Sequence, residues 1–388
     1  MKSIYLDSAA TTQVKQEVID AMMPYFGERF YNPSSLYGPS IDVANDVYKA
    51  RETVGKFIGA KPEEIYFTSG GSESNCWAIQ GFIKNCIDIR EAPLVIASKI
   101  EHKSIIECVN SLYSCYYKFV NVNRDGFVDL KVLDSILEEY YQYKKIIVSI
   151  QFANNEIGTI QNINKISELV HRYGAIFHTD AVQAFGHVPI DVNDLGIDLM
   201  SCSGHKIGAP KGIGFLFKKK GIGLNPLIYG SQMSGLRGGT ENVPYIIGMA
   251  KAVELCKNKI KPDSMWHQIQ VRDYLIDFLT TESGCVLNGS KNNRLPTNIN
   301  VILPHDITGE ELIYRLDMEG IYISAGSACN AHSNKPSYVL EAIGVSEQDA
   351  KKSIRISLPD ICDIDIMSYS QMMDNVMVAF DKVLNTTK

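Results

Sequence analysis

The chain has 388 residues, 45% hydrophobic and 21% charged, with 38 basic and 44 acidic residues for a formal net charge of −6. That length accommodates a large core and two domains, and the charge gives no electrostatic reason to expect nucleic acid or an anionic membrane surface as a partner. No apolar run reaches the roughly 18 residues of a membrane-spanning helix, and nine scattered cysteines without a Cys-x-x-Cys pair argue against a disulfide framework or structural zinc. No metal is expected. The opening Met1-Lys2-Ser3-Ile4-Tyr5-Leu6-Asp7 has neither the apolar core of a secretory signal nor the Arg-rich pattern of a transit peptide, so a reducing, cytoplasmic location is expected.

In chain order, apolar residues from Ile41 to Ile58 recur at helical spacing over 40–58, and Glu64–Thr68 reads as a strand. The small residues Thr68-Ser69-Gly70-Gly71-Ser72-Glu73-Ser74-Asn75 then link strand to helix. Backbone N–H groups at such a turn can approach an anion, which the helix dipole also favours; a tight turn capped by Ser72 explains the same residues. Further strands are expected at Leu94–Ser98, Lys118–Val122, Ile146–Ile150, Ala175–Thr179, Leu199–Cys202 and Ile213–Phe217, with helices over 103–114, 129–141 and 163–173 between several of them. Short apolar strands separated by helices indicate an α/β domain with a mostly parallel sheet. After about residue 260 the pattern changes to a long helix (264–281), a strand at Asn298–Leu303, a helix at Gly309–Met318, a strand near Ile321–Ser324 and a final helix (363–384). This reads as a smaller α+β domain.

The chemistry-bearing residues sit at strand ends. Asp198-Leu199-Met200-Ser201-Cys202-Ser203-Gly204-His205-Lys206 is an apolar strand that delivers a lysine into polar surroundings, where its amine can condense with a carbonyl cofactor. Upstream, Phe177-His178-Thr179-Asp180 ends a second strand in an acid, and that pairing suggests pyridoxal phosphate (PLP). The cofactor needs a lysine for its aldehyde and a carboxylate under its pyridinium nitrogen. His102, in Ile100-Glu101-His102-Lys103-Ser104, is either structural or a group that faces the cofactor and moves protons. Asn154 and Asn155 follow a third strand, where two amides also suit a turn. All of these lie where a parallel sheet places its ligand crevice, at the carboxyl ends of strands. Thr240, in Arg237-Gly238-Gly239-Thr240-Glu241, reads as a helix cap. The run Ser324-Ala325-Gly326-Ser327-Ala328-Cys329-Asn330-Ala331-His332-Ser333 has too little apolar bulk for a core, so it reads as an exposed loop presenting a reactive thiol at Cys329. Arg355, between apolar residues in Ser353-Ile354-Arg355-Ile356-Ser357, is either a buried ion pair or a fork for a substrate carboxylate.

Together these motifs resemble the cysteine desulfurases of the NifS/IscS type, in the class V branch of fold-type I PLP enzymes. The resemblance runs from Tyr5-Leu6-Asp7-Ser8-Ala9-Ala10-Thr11-Thr12 to about Ser357. It implies a large PLP-binding domain over 16–258 with a mostly parallel seven-stranded sheet. A small α+β domain, 1–15 and 259–388, would carry a mobile cysteine loop at about 324–337. PLP would sit on Lys206, with Asp180 against the pyridinium nitrogen, Gln183 on the ring oxygen and His102 stacked on the ring. Gly71, Ser72, Ser203 and His205 would bind its phosphate, with Thr240 reaching the phosphate of the partner in a homodimer. Arg355 and Asn155, joined by Asn32, would hold the carboxylate of L-cysteine. Alanine would leave while Cys329 took the sulfur as a persulfide, His102 being the candidate acceptor of the thiol proton. A sulfur-acceptor protein would then draw on it for iron–sulfur assembly or thio-modification. Selenocysteine lyase, class V aminotransferase and a non-enzymatic sulfur-transfer scaffold are the alternatives. The chain departs from the family pattern at Asn75-Cys76, Tyr37, Tyr229–Ser234 and Pro359-Asp360. These departures are expected to lie in surface and subunit-contact segments.

Overall fold

The computed structural model describes residues 3–86, 92–142, 145–304, 307–325, 336–364 and 366–385. A seven-stranded sheet forms its centre, in the order Ile65–Thr68, Gly214–Lys218, Leu199–Ser203, Ile176–Asp180, Ile146–Ser149, Leu94–Ser98 and Tyr116–Val120. Gly214–Lys218 runs antiparallel to both of its neighbours, and every other adjacent pair is parallel. Strands such as Leu94–Ser98 and Leu199–Ser203 are buried along their whole length. Continuous apolar runs of this kind, without alternation, are what helices on both faces of a parallel sheet demand. The edge strand Tyr116–Val120 is the exception and leaves its first three residues exposed.

The strands match the sequence reading to within two residues. Gly38–Phe57 forms the first long helix, starting two residues early because Pro39 sits in its first turn, where a missing N–H costs nothing. The helix expected over 103–114 stops at Asn110, and a short helix, Gln16–Met22, was not anticipated. The large core packs one sheet face against the helices Gly38–Phe57 and Val243–Lys259, and a separate core packs the other face against Gly71–Asn85 and Lys103–Asn110.

A second core gathers Leu6, Ile299, Ile354, Tyr369 and Phe380. It lies on a four-stranded antiparallel sheet ordered Ser324–Ala325, Ser353–Ser357, Asn298–Ile302 and Val286–Leu287. The single strand expected near Ile321–Ser324 is two: Ile321–Tyr322 pairs in parallel with the N-terminal Ile4–Tyr5, and Ser324–Ala325 joins the antiparallel sheet. The N-terminal segment therefore belongs to this core, with Leu6 fully buried in it and Asp7 bridged to Ser357. The expected helix 264–281 is Pro262–Asp277 continued by a π-helical turn, Phe278–Glu282. Among the described residues no helix is long and apolar enough to cross a membrane.

Candidate functional site

A cavity of ≈310 Å³ opens at the carboxyl ends of the central strands. Lys206 closes a one-turn 3-10 helix, Gly204–Lys206, directly after the strand Leu199–Ser203. Its Nζ donates to the carbonyls of Ala9 at 2.6 Å and Ala10 at 2.7 Å. Gln183 Nε2 donates to the same Ala9 oxygen at 3.0 Å. His205 Nδ1 lies 3.2 Å from Thr11 Oγ1, and the Thr12 hydroxyl donates to the His205 carbonyl at 3.0 Å. The N-terminal segment thus forms one wall of the cavity. Burial, and then the charges of Lys206 and Lys211, push His205 down to about 4, so its ring is neutral at neutral pH.

Asp180 ends the strand Ile176–Asp180 and is 6% exposed. Its Oδ1 accepts from the Val182 N–H at 2.9 Å and its Oδ2 from Asn75 Nδ2 at 2.6 Å. Both partners are neutral, and among the described residues no cation forms a salt bridge to this carboxylate. The same Asn75 nitrogen donates to Ser104 Oγ at 2.9 Å, and Ser104 in turn contacts His102.

Arg355 lies in the middle of Ser353–Ser357 and is 1% exposed. One terminal nitrogen donates to the Asn155 carbonyl at 3.0 Å and the other to Asp7 Oδ1 at 2.6 Å. Of the two alternatives raised by the sequence the buried ion pair is present, and the arginine also lines the cavity. Two buried acids complete this side. Burial pushes Glu101 up to about 8 and Glu156 up to about 7. Glu156 accepts from the Ser337 hydroxyl at 2.5 Å, and the Tyr338 hydroxyl donates to the Glu101 carbonyl at 2.6 Å.

Gly71 and Ser72 open the helix Gly71–Asn85 at the cavity wall, beside Ser203 and His205. The first-turn N–H groups of a helix have no intrahelical partner. A Cβ at Gly71 would come within 2.6 Å of Val182 Cγ2, so only glycine fits at that point of the wall. The site thus offers three separate things: an amine, a buried carboxylate held by neutral donors, and an anion-accepting helix end. That set matches a cofactor bearing an aldehyde, a basic ring nitrogen and a phosphate.

The cavity collects Lys206, His102, Asp180, Gln183, Asn155 and Arg355 together with Gly71, Ser72, Ser203 and His205. Thr240 is exposed and does not line it. Asn32 is also exposed and away from its wall, with its side-chain oxygen accepting from the Ser34 N–H at 2.9 Å. Cys329 lies outside the described residues. The departures from the family pattern are not all peripheral, contrary to expectation. Asn75 is 1% exposed and binds Asp180 directly, while Asp360 forms an ion pair with Lys259 at 2.5 Å. Asp7, Ser104 and Glu156 were given no role from sequence. Asp7 and Ser104 stand inside quoted motifs and Glu156 directly follows Asn155, and that is their one available signal.

Residues 4–361 match the aminotransferase class-V family. The cysteine desulfurase IscS of Dictyoglomus turgidum is 42% identical over 361 residues, covering 92% of this chain and 90% of that protein. A solved structure described as a NifS-like protein superposes with a TM-score of 0.86 at 32% identity, covering 98% of this chain and 99% of its own. Another, SspA in complex with cysteine, has a TM-score of 0.79 at 34% identity and covers 92% of this chain and 99% of its own.

Proposed function

The chain belongs to the aminotransferase class-V family and is a cysteine desulfurase; from that premise we propose that it uses PLP held by Lys206 and Asp180 and loads the sulfur of L-cysteine onto Cys329. The observation that carries this reading is the convergence of Lys206, Asp180, His102 and Arg355 on one ≈310 Å³ cavity. When bound, PLP supplies an electron sink for the substrate carbons. Asp180 would keep the ring nitrogen protonated, Gln183 would hold the ring oxygen and His102 would face the ring. Gly71, Ser72, Ser203 and His205 hold the phosphate. Thr240, turned away from its own cavity, serves the phosphate site of the partner in a homodimer.

Arg355 and Asn155 bind the substrate carboxylate. With the cofactor bound, Lys206 Nζ would be the group that takes the Cα proton of the substrate. The Cys329 thiolate attacks the substrate sulfur, the Cβ–S bond breaks, and alanine leaves with a persulfide on Cys329. The division into a domain over 16–258 and a second of 1–15 and 259–388 suits this chemistry, since it puts Lys206 on one and Cys329 on the other. A cytoplasmic acceptor protein would then take the persulfide sulfur for iron–sulfur assembly or thio-modification.

Incubation of the PLP-loaded protein with L-cysteine and a reductant should yield equal alanine and sulfide. Cys329→Ala should retain bound PLP and form no persulfide. Persulfide on another cysteine of that variant would overturn the assignment of Cys329, and a keto acid in place of alanine would overturn the desulfurase reading.

A further inference from the structure

From Asp180 a hydrogen-bond chain runs outward, and its direction follows from the chemistry of its first member. A carboxylate only accepts, so the amide nitrogen of Asn75 is the atom that faces Asp180 Oδ2, at 2.6 Å. The second proton of that nitrogen goes to Ser104 Oγ at 2.9 Å. With that lone pair engaged, the Ser104 hydroxyl turns its own proton to His102 Nδ1, 2.8 Å away. The Ser104 backbone N–H reaches the same Nδ1 at 3.1 Å, because His102 is the N-cap of the helix Lys103–Asn110. Two donors aimed at one ring nitrogen leave no room for a proton there, so the neutral imidazole carries its proton on Nε2.

We propose that Ser104, oriented by Asn75, is a positioning residue that holds His102 in its neutral Nε2–H form, so that His102 meets the reactants as a hydrogen-bond donor and not as a base. This rests on His102 belonging to the reaction, and it reverses the role of proton acceptor that the sequence suggested. Taking up a second proton would place it on Nδ1, directly against the Ser104 N–H. Among the described residues, the titratable and charged groups around it are Asp180, reached through Asn75, with Lys103, Glu101, Glu156, His205, Lys206 and Arg355. Burial raises both glutamates, Glu101 to about 8 and Glu156 to about 7, so below those values they are mainly neutral, while towards pH 8 the charge on Glu156 favours a proton on the ring against the Ser104 donors.

The test is nitrogen NMR on the PLP-loaded protein labelled with 15N-histidine, with His102→Gln to assign the signal among the eight histidines. The expected result is a protonated Nε2 and a bare Nδ1 from about pH 6 to 8. Ser104→Ala should raise the pH at which His102 titrates by about one unit, since it removes one of two bonds to the neutral ring. The acid limb of the alanine-formation profile should not follow that shift, because the protonated ring still donates from Nε2, and Ser104→Thr should restore the wild-type titration. If Ser104→Ala does not fold, Asn75→Asp should move the titration in the same direction by reversing the chain. A proton on Nδ1 of the wild type, or an unmoved titration in both variants, would overturn the proposal. The nitrogen signals are read without substrate. An inactive wild type would therefore count against the desulfurase reading alone, and a wrong tautomer in an active protein against this proposal alone.

Discussion

Asp180 and Arg355 face one cavity with opposite charges and are held in opposite ways. Among the described residues Asp180 is gripped only by neutral donors, a backbone N–H and the Asn75 amide, and no cation forms a salt bridge to it. Arg355 already donates to the Asp7 carboxylate, which offsets its charge before any substrate arrives. The difference suits the ligands proposed for each, a cofactor ring nitrogen for Asp180 and a substrate carboxylate for Arg355. A ring nitrogen that stays through many turnovers gains from a permanent, uncompensated partner. A substrate carboxylate must arrive and leave, and a guanidinium shared with Asp7 holds it less tightly. Asp180 comes from the rigid end of a central strand, and Arg355 from the separate antiparallel sheet against which the N-terminal segment packs.

If that contrast is right, the largest effect belongs to the unpaired charge. Asp180→Asn should lower the rate of alanine formation by about 10²–10³-fold, because it removes a preorganised charge from a buried site. Absorbance titration of the bound cofactor should show its ring nitrogen losing its proton. Full activity in this variant would break the comparison at its stronger end. At Arg355, replacement by Lys should raise KM by about 10–100-fold while changing kcat only a few-fold, since a point charge cannot reproduce the guanidinium fork. An equal loss in kcat would mean that Arg355 acts on the transition state and not simply as a docking group.

Asp7→Asn sharpens the same contrast from the other side. It should release the guanidinium and lower KM several-fold, while chemical denaturation shows a stability loss of about 3 kcal/mol from the broken pair. A higher KM would show instead that Asp7 positions the arginine for its substrate. The smallest effect concerns Glu156. Its folded value of about 7 lies above the ordinary 4.5, so the folded protein retains a proton that the unfolded chain releases. Stability from this group is complete below about 4.5, declines as pH rises towards 7 and levels off beyond it. Glu156→Gln should match the wild type near pH 4 and exceed it by about 1–3 kcal/mol near pH 8, read from urea midpoints. A constant difference across pH would mean that the Ser337 hydrogen bond outweighs the burial of the acid.

Much of this was legible along the chain. The strand reading succeeded because Leu94–Ser98, Ile146–Ser149 and Leu199–Ser203 are short apolar runs bounded by polar residues, a local signal that tertiary context only reinforces. Lys206 and Asp180 were recognisable because each ends such a run, and the rule that ligands gather at the carboxyl ends of parallel strands supplied the rest. Asp7 and Ser104 were not legible in this way. Their roles depend on partners 348 and 29 residues distant, Arg355 and Asn75. Asn75 itself was read as peripheral, since a departure from a family pattern says nothing about which way a helix turns its residues. The strand near Ile321–Ser324 was seen as one because apolar periodicity cannot reveal that its two halves pair with different sheets.

By itself the sequence determined the class of fold, the order of its elements and the chemical types gathered at strand ends, all of which are encoded in neighbours a few residues apart. The tertiary structure alone decided that the N-terminal carbonyls of Ala9 and Ala10 receive the Lys206 amine, that Asp7 shares Arg355, and that Asn75 links Asp180 to Ser104 and His102. The physical reason is range. Helix and strand periods are properties of adjacent residues, whereas the direction of a buried hydrogen bond and the partner of a buried charge are set by whichever segment packing brings within about 3 Å.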